Sequence, residues 1–445
     1  MRVNVAHAIG AMMLVMAFGS VSVADNPYIL PLRERATLQD QWLAHRLDTI
    51  VPRLMRENGI DLWVLIAREY NEDPVVATML PADWLRTARR RTILVFHDPG
   101  DGAPVERLAV SRYSVGRFFE SAWDPEAQPD QWRRLREIIV ERDPERIGVN
   151  VSPDFALADG LAGSEMNMLQ SAMPREFRSR QVSAEKLAIG WLETRTEPEM
   201  AVYPQIGRIA HEIIGEALSN RVIQPGVTTT KDVEWWCRER VAELKLDTWF
   251  HPSVSVQRRE QKSDFVDLFE NQNDVIQPGD LVHIDFGIDY LGLCTDTQQM
   301  AYVLKPGEMA PPEGLVEAFK VGNEMQDILT SQFRQGRSGN EILKAALDEA
   351  ASRGITATVY THPLGYHGHA AGPTIGLWDQ QGGVPGRGDY PLNADTCHSI
   401  ELNVEVAIPE WDGQTVRIML EEDAFFDGDE TRYIDGRQTE LLTIP

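Results

Sequence analysis

Apolar and polar residues alternate with a period of two at the start of residues 281–303. Val282, Ile284 and Phe286 share one face, and Met300 and Tyr302 continue the alternation on the way back. Such a period marks strands, and Asp289-Tyr290-Leu291-Gly292 between the runs predicts a hairpin. With Tyr290 and Leu291 as its loop, Asp285 and Asp296 stand directly opposite each other. Opposed Cβ atoms on an antiparallel pair are about 5 Å apart. Two like charges there, among apolar neighbours, call for a cation between them, and a divalent metal is the simplest. Residues 399–426 repeat the device. Asp412-Gly413 is a turn signal, and a loop centred on Gly413 sets Glu405 opposite Glu421.

Between these hairpins runs His362-Pro-Leu-Gly-Tyr-His367-Gly-His369-Ala-Ala-Gly372. Four carboxylates carry about four negative charges, which two divalent ions cancel. Oxygen donors with one imidazole suit manganese, cobalt, iron or zinc.

The pattern elsewhere divides the chain. Trp42, Leu47, Ile50 and Leu54 have helical spacing, closed by Asn58-Gly59. Apolar runs at 62–66, 92–96 and 146–151 read as strands and 132–140 as a helix, so residues 25–185 are expected to form an α/β domain. A linking helix is expected over 183–191. Thr196-Glu197-Pro198-Glu199 then matches a capping box that opens an amphipathic helix through Ile206, Ile209 and Ile213. Residues 186–445 form the second domain, which carries a faint internal echo. Gly226 followed by Thr228, and Gly336 followed by Ser338, each predict a helix start. Together with the paired hairpins, this points to two related α/β halves facing each other, with a metal pair at their interface. Arg89, Arg90 and Arg91 read as a solvated face or a subunit contact.

Composition narrows the partners. Against 43 basic residues stand 68 acidic ones, a formal charge of −25 over 445 residues. That argues against nucleic acid and anionic membrane surfaces. Arg2, an uncharged apolar run over 8–19, and Ser22-Val23-Ala24 before Asp25 together predict a secretory signal over 1–24. The mature protein is then expected to be periplasmic or secreted, with no membrane span. Cys237, Cys294 and Cys397 are too few for a disulfide framework, and Cys294 and Cys397, in or beside the hairpins, read as core fillers.

In the order Asp285, Asp296, His369 of His369-x-x-Gly372, Glu405 and Glu421, these residues resemble metallopeptidase family M24. That family includes methionine aminopeptidase, aminopeptidase P, prolidase and creatinase, and has the pita-bread fold. Residues 27–180 are similar to the N-terminal domain of the last three. The resemblance implies two divalent metals, manganese foremost, with Asp296 and Glu421 bridging them. Asp285 would hold one, and His369 and Glu405 the other, with His367 as the alternative histidine. A metal-bridging hydroxide would attack the scissile carbonyl. His362, His367 and Arg417 would contact substrate or orient ligands.

Some positions depart from the family pattern. No histidine stands at 266–270, and Val406-Ala407 replaces the usual Pro-Gly after the glutamate. Thr297-Gln298-Gln299 follows Asp296 where many members carry an arginine. Gly376 stands seven residues after His369, where a second pocket histidine belongs. The leading expectation is an exported aminopeptidase P-like or Xaa-Pro dipeptidase-like enzyme acting on small peptides or amides, as a homodimer or homotetramer. A non-catalytic binding protein of the same fold, or a creatinase-like amidinohydrolase, are the alternatives.

Overall fold

The computed structural model describes residues 29–83, 87–100, 102–260 and 273–445. Both the signal-like segment 1–24 and residues 266–270 lie outside them.

The first domain is built on one sheet whose residues alternate between two cores. Its strands are β1 (Leu62–Arg68), β2 (Arg91–His97), β3 (Glu106–Val110), β4 (Glu120–Ser121), β5 (Ile147–Val149) and β6 (Gln181–Ser183). They lie in the order β4-β3-β2-β1-β5-β6. Trp63, Leu65, Leu94 and Phe96 bury on one face with Leu47, Leu54, Leu187 and Trp191. Their neighbours Leu62, Val64, Ile93 and Val95 bury on the other with Leu135, Ile138 and Leu169. Helices thus cover both faces, as strands apolar on both sides require. Leu32–Asn58 and the linking helix Glu185–Glu193 cover the first, and Gln131–Arg142 and Gly163–Ala172 the second. The linking helix therefore packs with the first domain's core.

The second domain has two halves of the same plan. In the first, helices Tyr203–Ala217 and Thr230–Glu243 precede β7 (Ser253–Gln257), β8 (Leu281–Phe286), the small hairpin β9 (Asp289–Tyr290) and β10 (Leu293–Cys294), and β11 (Thr297–Val303). In the second, helices Glu313–Thr330 and Gly339–Ser352 precede β12 (Thr356–Val359), β13 (His362–Leu364), β14 (Thr396–Ser399), β15 (Leu402–Ile408) and β16 (Gln414–Leu420). The chain ends through β17 (Asp423–Phe426), β18 (Thr431–Tyr433) and β19 (Leu442–Ile444). The sheets run β19-β11-β8-β7, β12-β15-β16 and β13-β14-β17-β18. The echo in the sequence is real, although the first helix is capped by Thr229, not Thr228. Thr229 with Asp232, and Ser338 with Glu341, both close capping boxes. The halves join where the Gln298 amide donates to the Glu421 carbonyl (2.9 Å) and the Glu421 amide returns the bond (3.2 Å).

Both hairpins form, but in registers other than those predicted. In the first, Tyr290 pairs with Leu293, so the two-residue turn is Leu291-Gly292. Both have positive φ, 61° and 75°, the conformation that a tight hairpin turn of matching twist requires. Asp285 consequently faces Gln298 rather than Asp296. In the second, Ile408 pairs with Gln414 across a loop of residues 409–413. Gly413 ends that loop instead of centring it, and Glu405 faces Arg417.

Candidate metal centre

The two registers decide which carboxylates meet. In the first hairpin Asp296 sits two residues before Gln298 on the same face, so Asp285 and Asp296 are diagonal neighbours. In the second, continuing the register one step past Leu402–Leu420 sets Glu401 opposite Glu421. Glu401, missed in the sequence, thus takes the place predicted for Glu405. Glu405 lies four residues further along, two strand periods away on the same face, its carboxylate 2.5 Å from Arg417. That salt bridge accounts for Arg417, which also donates to Asn403 (3.2 Å) and is not part of the carboxylate cluster.

Three overlapping groups of donors lie with their ligand atoms within 4.8 Å of one another. They are Asp285, Asp296 and Glu421; His362, Glu401 and Glu421; and Asp296, His362 and His369. His362 opens β13, and its Nε2 is 3.4 Å from both Asp296 and Glu421. It sits among the donors, nearer than the peripheral role expected for it. His369 stands at the edge of the cluster, its ring 4.5 Å from that of His362. With His362 as the inner histidine, the seven-residue step to the family's second pocket histidine falls on His369, not Gly376. His367 belongs to none of these groups.

Neighbouring side chains fix the carboxylates. Ser399 donates to Glu421 (2.6 Å). The Gln298 amide donates to both Glu401 and Glu421 (2.8 Å each), and its carbonyl oxygen meets His283 Nε2 at 2.8 Å. No residue pattern announced Gln298; its role follows from standing where the halves join.

The electrostatics fit a cation. Burial, then the charge of Glu421, drive the carboxyls of Asp285, Asp296 and Glu401 well above the ordinary range. Burial lowers His362, but the Glu421 carboxylate outweighs it and leaves the ring above its usual value. Burial brings His369 down to about 4, so it is a neutral donor near pH 7. Asp285 Oδ1 and His362 Nε2 are buried without a hydrogen-bond partner. Unpartnered buried polar atoms are rare and costly, and an oxygen-rich set with imidazoles is what a divalent metal takes.

The histidine segment is anchored from far away in sequence. The Tyr366 hydroxyl donates to Glu199 (2.8 Å). Glu199 also pairs with Arg46 of the first helix (3.0 Å) and accepts the Thr196 amide that its capping box predicts (2.7 Å). Arg46 and Arg195 both lie over the Tyr366 ring, at 5.0 and 4.5 Å.

Comparison with known proteins agrees with this geometry. Residues 203–424 match the family model of metallopeptidase family M24, and the chain belongs to that family. Over 171 residues it is 25% identical to an uncharacterised peptidase of Bacillus subtilis strain 168; the match covers 38% of this chain and 43% of that relative. An X-Pro aminopeptidase of Thermotoga maritima has a similar structure (TM-score 0.62, 16% identity, 88% of this chain and 99% of that one). So has an Xaa-Pro dipeptidase of Bacillus anthracis (TM-score 0.59, 16% identity, 93% and 100%). These likenesses establish the two-domain pita-bread fold. Among the described residues no helix is long and apolar enough to cross a membrane.

Proposed function

We propose that this protein is an exported, dinuclear metal-dependent hydrolase of peptide C–N bonds, aminopeptidase P-like or Xaa-Pro dipeptidase-like. The observation that carries the reading is the three overlapping donor groups that Asp285, Asp296, His362, His369, Glu401 and Glu421 form, with Glu421 and His362 each shared by two of them. Two divalent ions bound there, manganese foremost, would supply Lewis acidity and an acidified water near neutral pH. The chain's own residues hold that site in shape. Ser399 and Gln298 orient Glu421, Gln298 orients Glu401, and His369 stands at the edge of the cluster, lining the cavity above it.

Metal content of purified variants tests the donor set. Glu401→Gln is expected to lose at least one metal equivalent and most peptide hydrolysis. Glu405→Gln, which breaks only a salt bridge to Arg417, should keep both. The opposite result would return the site to the register first predicted. Export rests on the signal-like pattern of 1–24, and the protein's N-terminus after secretion is expected to be Asp25 by Edman or mass analysis.

A non-catalytic reading gained its force from missing pocket histidines. His369 at the seven-residue step removes part of that force.

A further inference from the structure

A cavity of about 440 Å³ opens directly above the metal-site carboxylates. Asp285, Asp296, Glu401 and Glu421 form its floor. Its walls are of another kind: Trp249, Phe250, Tyr360, Trp378, Leu402 and Met419. Resting on the hydrolase reading above, we infer that this enzyme prefers substrates with a large, uncharged, ring-bearing side chain beside the scissile bond. Trp249, Phe250 and Trp378 are then its specificity-determining residues.

The wall is built to stay open. Trp249 Nε1 donates to the Thr295 carbonyl (2.9 Å), one residue before Asp296. The Thr248 hydroxyl lies 2.8 Å from both the Phe250 and the Gly287 carbonyls and shares its one proton between them. A Cβ at Gly368 would overlap the Trp249 indole, and one at Gly287 would crowd both Trp249 and Phe250. The glycine of Gly368-His369 thus creates the slot in which the indole stands, with its ring 4.4 Å from Phe250 and 5.1 Å from His369. A rigid aromatic wall offers a ring its face or edge without first having to be ordered. Trp378 leaves 53% of its surface exposed at the mouth, a large apolar area that a substrate ring can cover. These six wall side chains carry no formal charge, so a charged side chain packed on them would be desolvated with no partner in that part of the wall.

The test uses the full-length, manganese-loaded protein and a panel of Xaa-Pro and Xaa-Ala dipeptides with Gly, Ala, Leu, Phe, Trp, Lys or Glu as Xaa, together with Ala-Phe and Ala-Trp. Phe and Trp substrates should exceed Gly and Ala ones in kcat/KM by about tenfold or more. Trp378→Ala and Phe250→Ala should shrink that ratio towards one, with circular dichroism confirming the fold. In parallel, quenching of tryptophan fluorescence by phenylalanine hydroxamate should saturate at lower concentration than by glycine hydroxamate. Equal or better turnover of Gly, Lys or Glu substrates overturns the inference while leaving the hydrolase reading intact. If no panel member is cleaved, the hydrolase reading falls, and the hydroxamate titration still decides the cavity's preference.

Discussion

Glu199 shows how much one residue's place in the sequence can conceal. Its role as the last member of a capping box was legible, because Thr196-x-x-Glu199 needs only local geometry. Its second role, as the buried partner of Arg46 and Tyr366, was not, because those residues come from 153 positions before it and 167 after. Glu193, six residues earlier, has no local signature at all. One of its oxygens is buried without a partner, and Asn393 donates to the other (2.8 Å). Burial outweighs that bond and the charge of Arg195, and raises the carboxyl from 4.5 to about 7. Between those two values the folded protein keeps a proton that the unfolded chain has released. Stability therefore falls as pH rises through that window and levels off above it. Glu193→Gln should flatten this slope, and urea unfolding should find it more stable than the parent by about 1–3 kcal/mol at pH 8 and unchanged at pH 4.

At the scale of elements, the two carboxylate hairpins were legible as hairpins and misread as registers. Alternation places strands, but where strands pair depends on turn conformation. The Leu291-Gly292 turn asks a leucine to take a left-handed conformation (φ 61°), which sequence preference argues against. The second loop holds a short helical turn, Pro409–Trp411, before Asp412 and Gly413. Counting from its glycine therefore overshoots the strand by four residues and selects Glu405 for Glu401. Asp285, Asp296 and Glu421 survived because a diagonal pair on one face still converges, and because Glu421 stands in the cluster whichever residue faces it. The histidines were harder to rank. His362 turns inwards because β13 pairs with β14, which sets it opposite Ser399 beside Glu421; a strand of three residues carries no spacing signal of its own.

Across the whole molecule, the division into an α/β first domain and a two-halved second domain was legible from periodicity and the repeated helix starts. What periodicity could not show is that the domains share a charged core. Arg46, Arg195 and Glu199 have no side-chain exposure. Burial costs such groups heavily unless each is paired. Arg46→Ala would leave Glu199 with only Arg195, 3.6 Å away, as its ionic partner. The loss expected in chemical denaturation is about 3–5 kcal/mol, with a lowered affinity for metal because Tyr366 and the histidine strand lose their anchor.

That buried knot reaches further than the stability of one helix. Every donor of the metal centre lies within residues 203–424, so a gene trimmed to the family-matching stretch would still encode the complete ligand set. It would lack Arg46, Arg195 and Glu199, and with them the stop against which Tyr366 is seated. The shortened protein would own all the chemistry but lack the buried charges that seat Tyr366, and an inert fragment would say nothing against the enzyme from which it was cut.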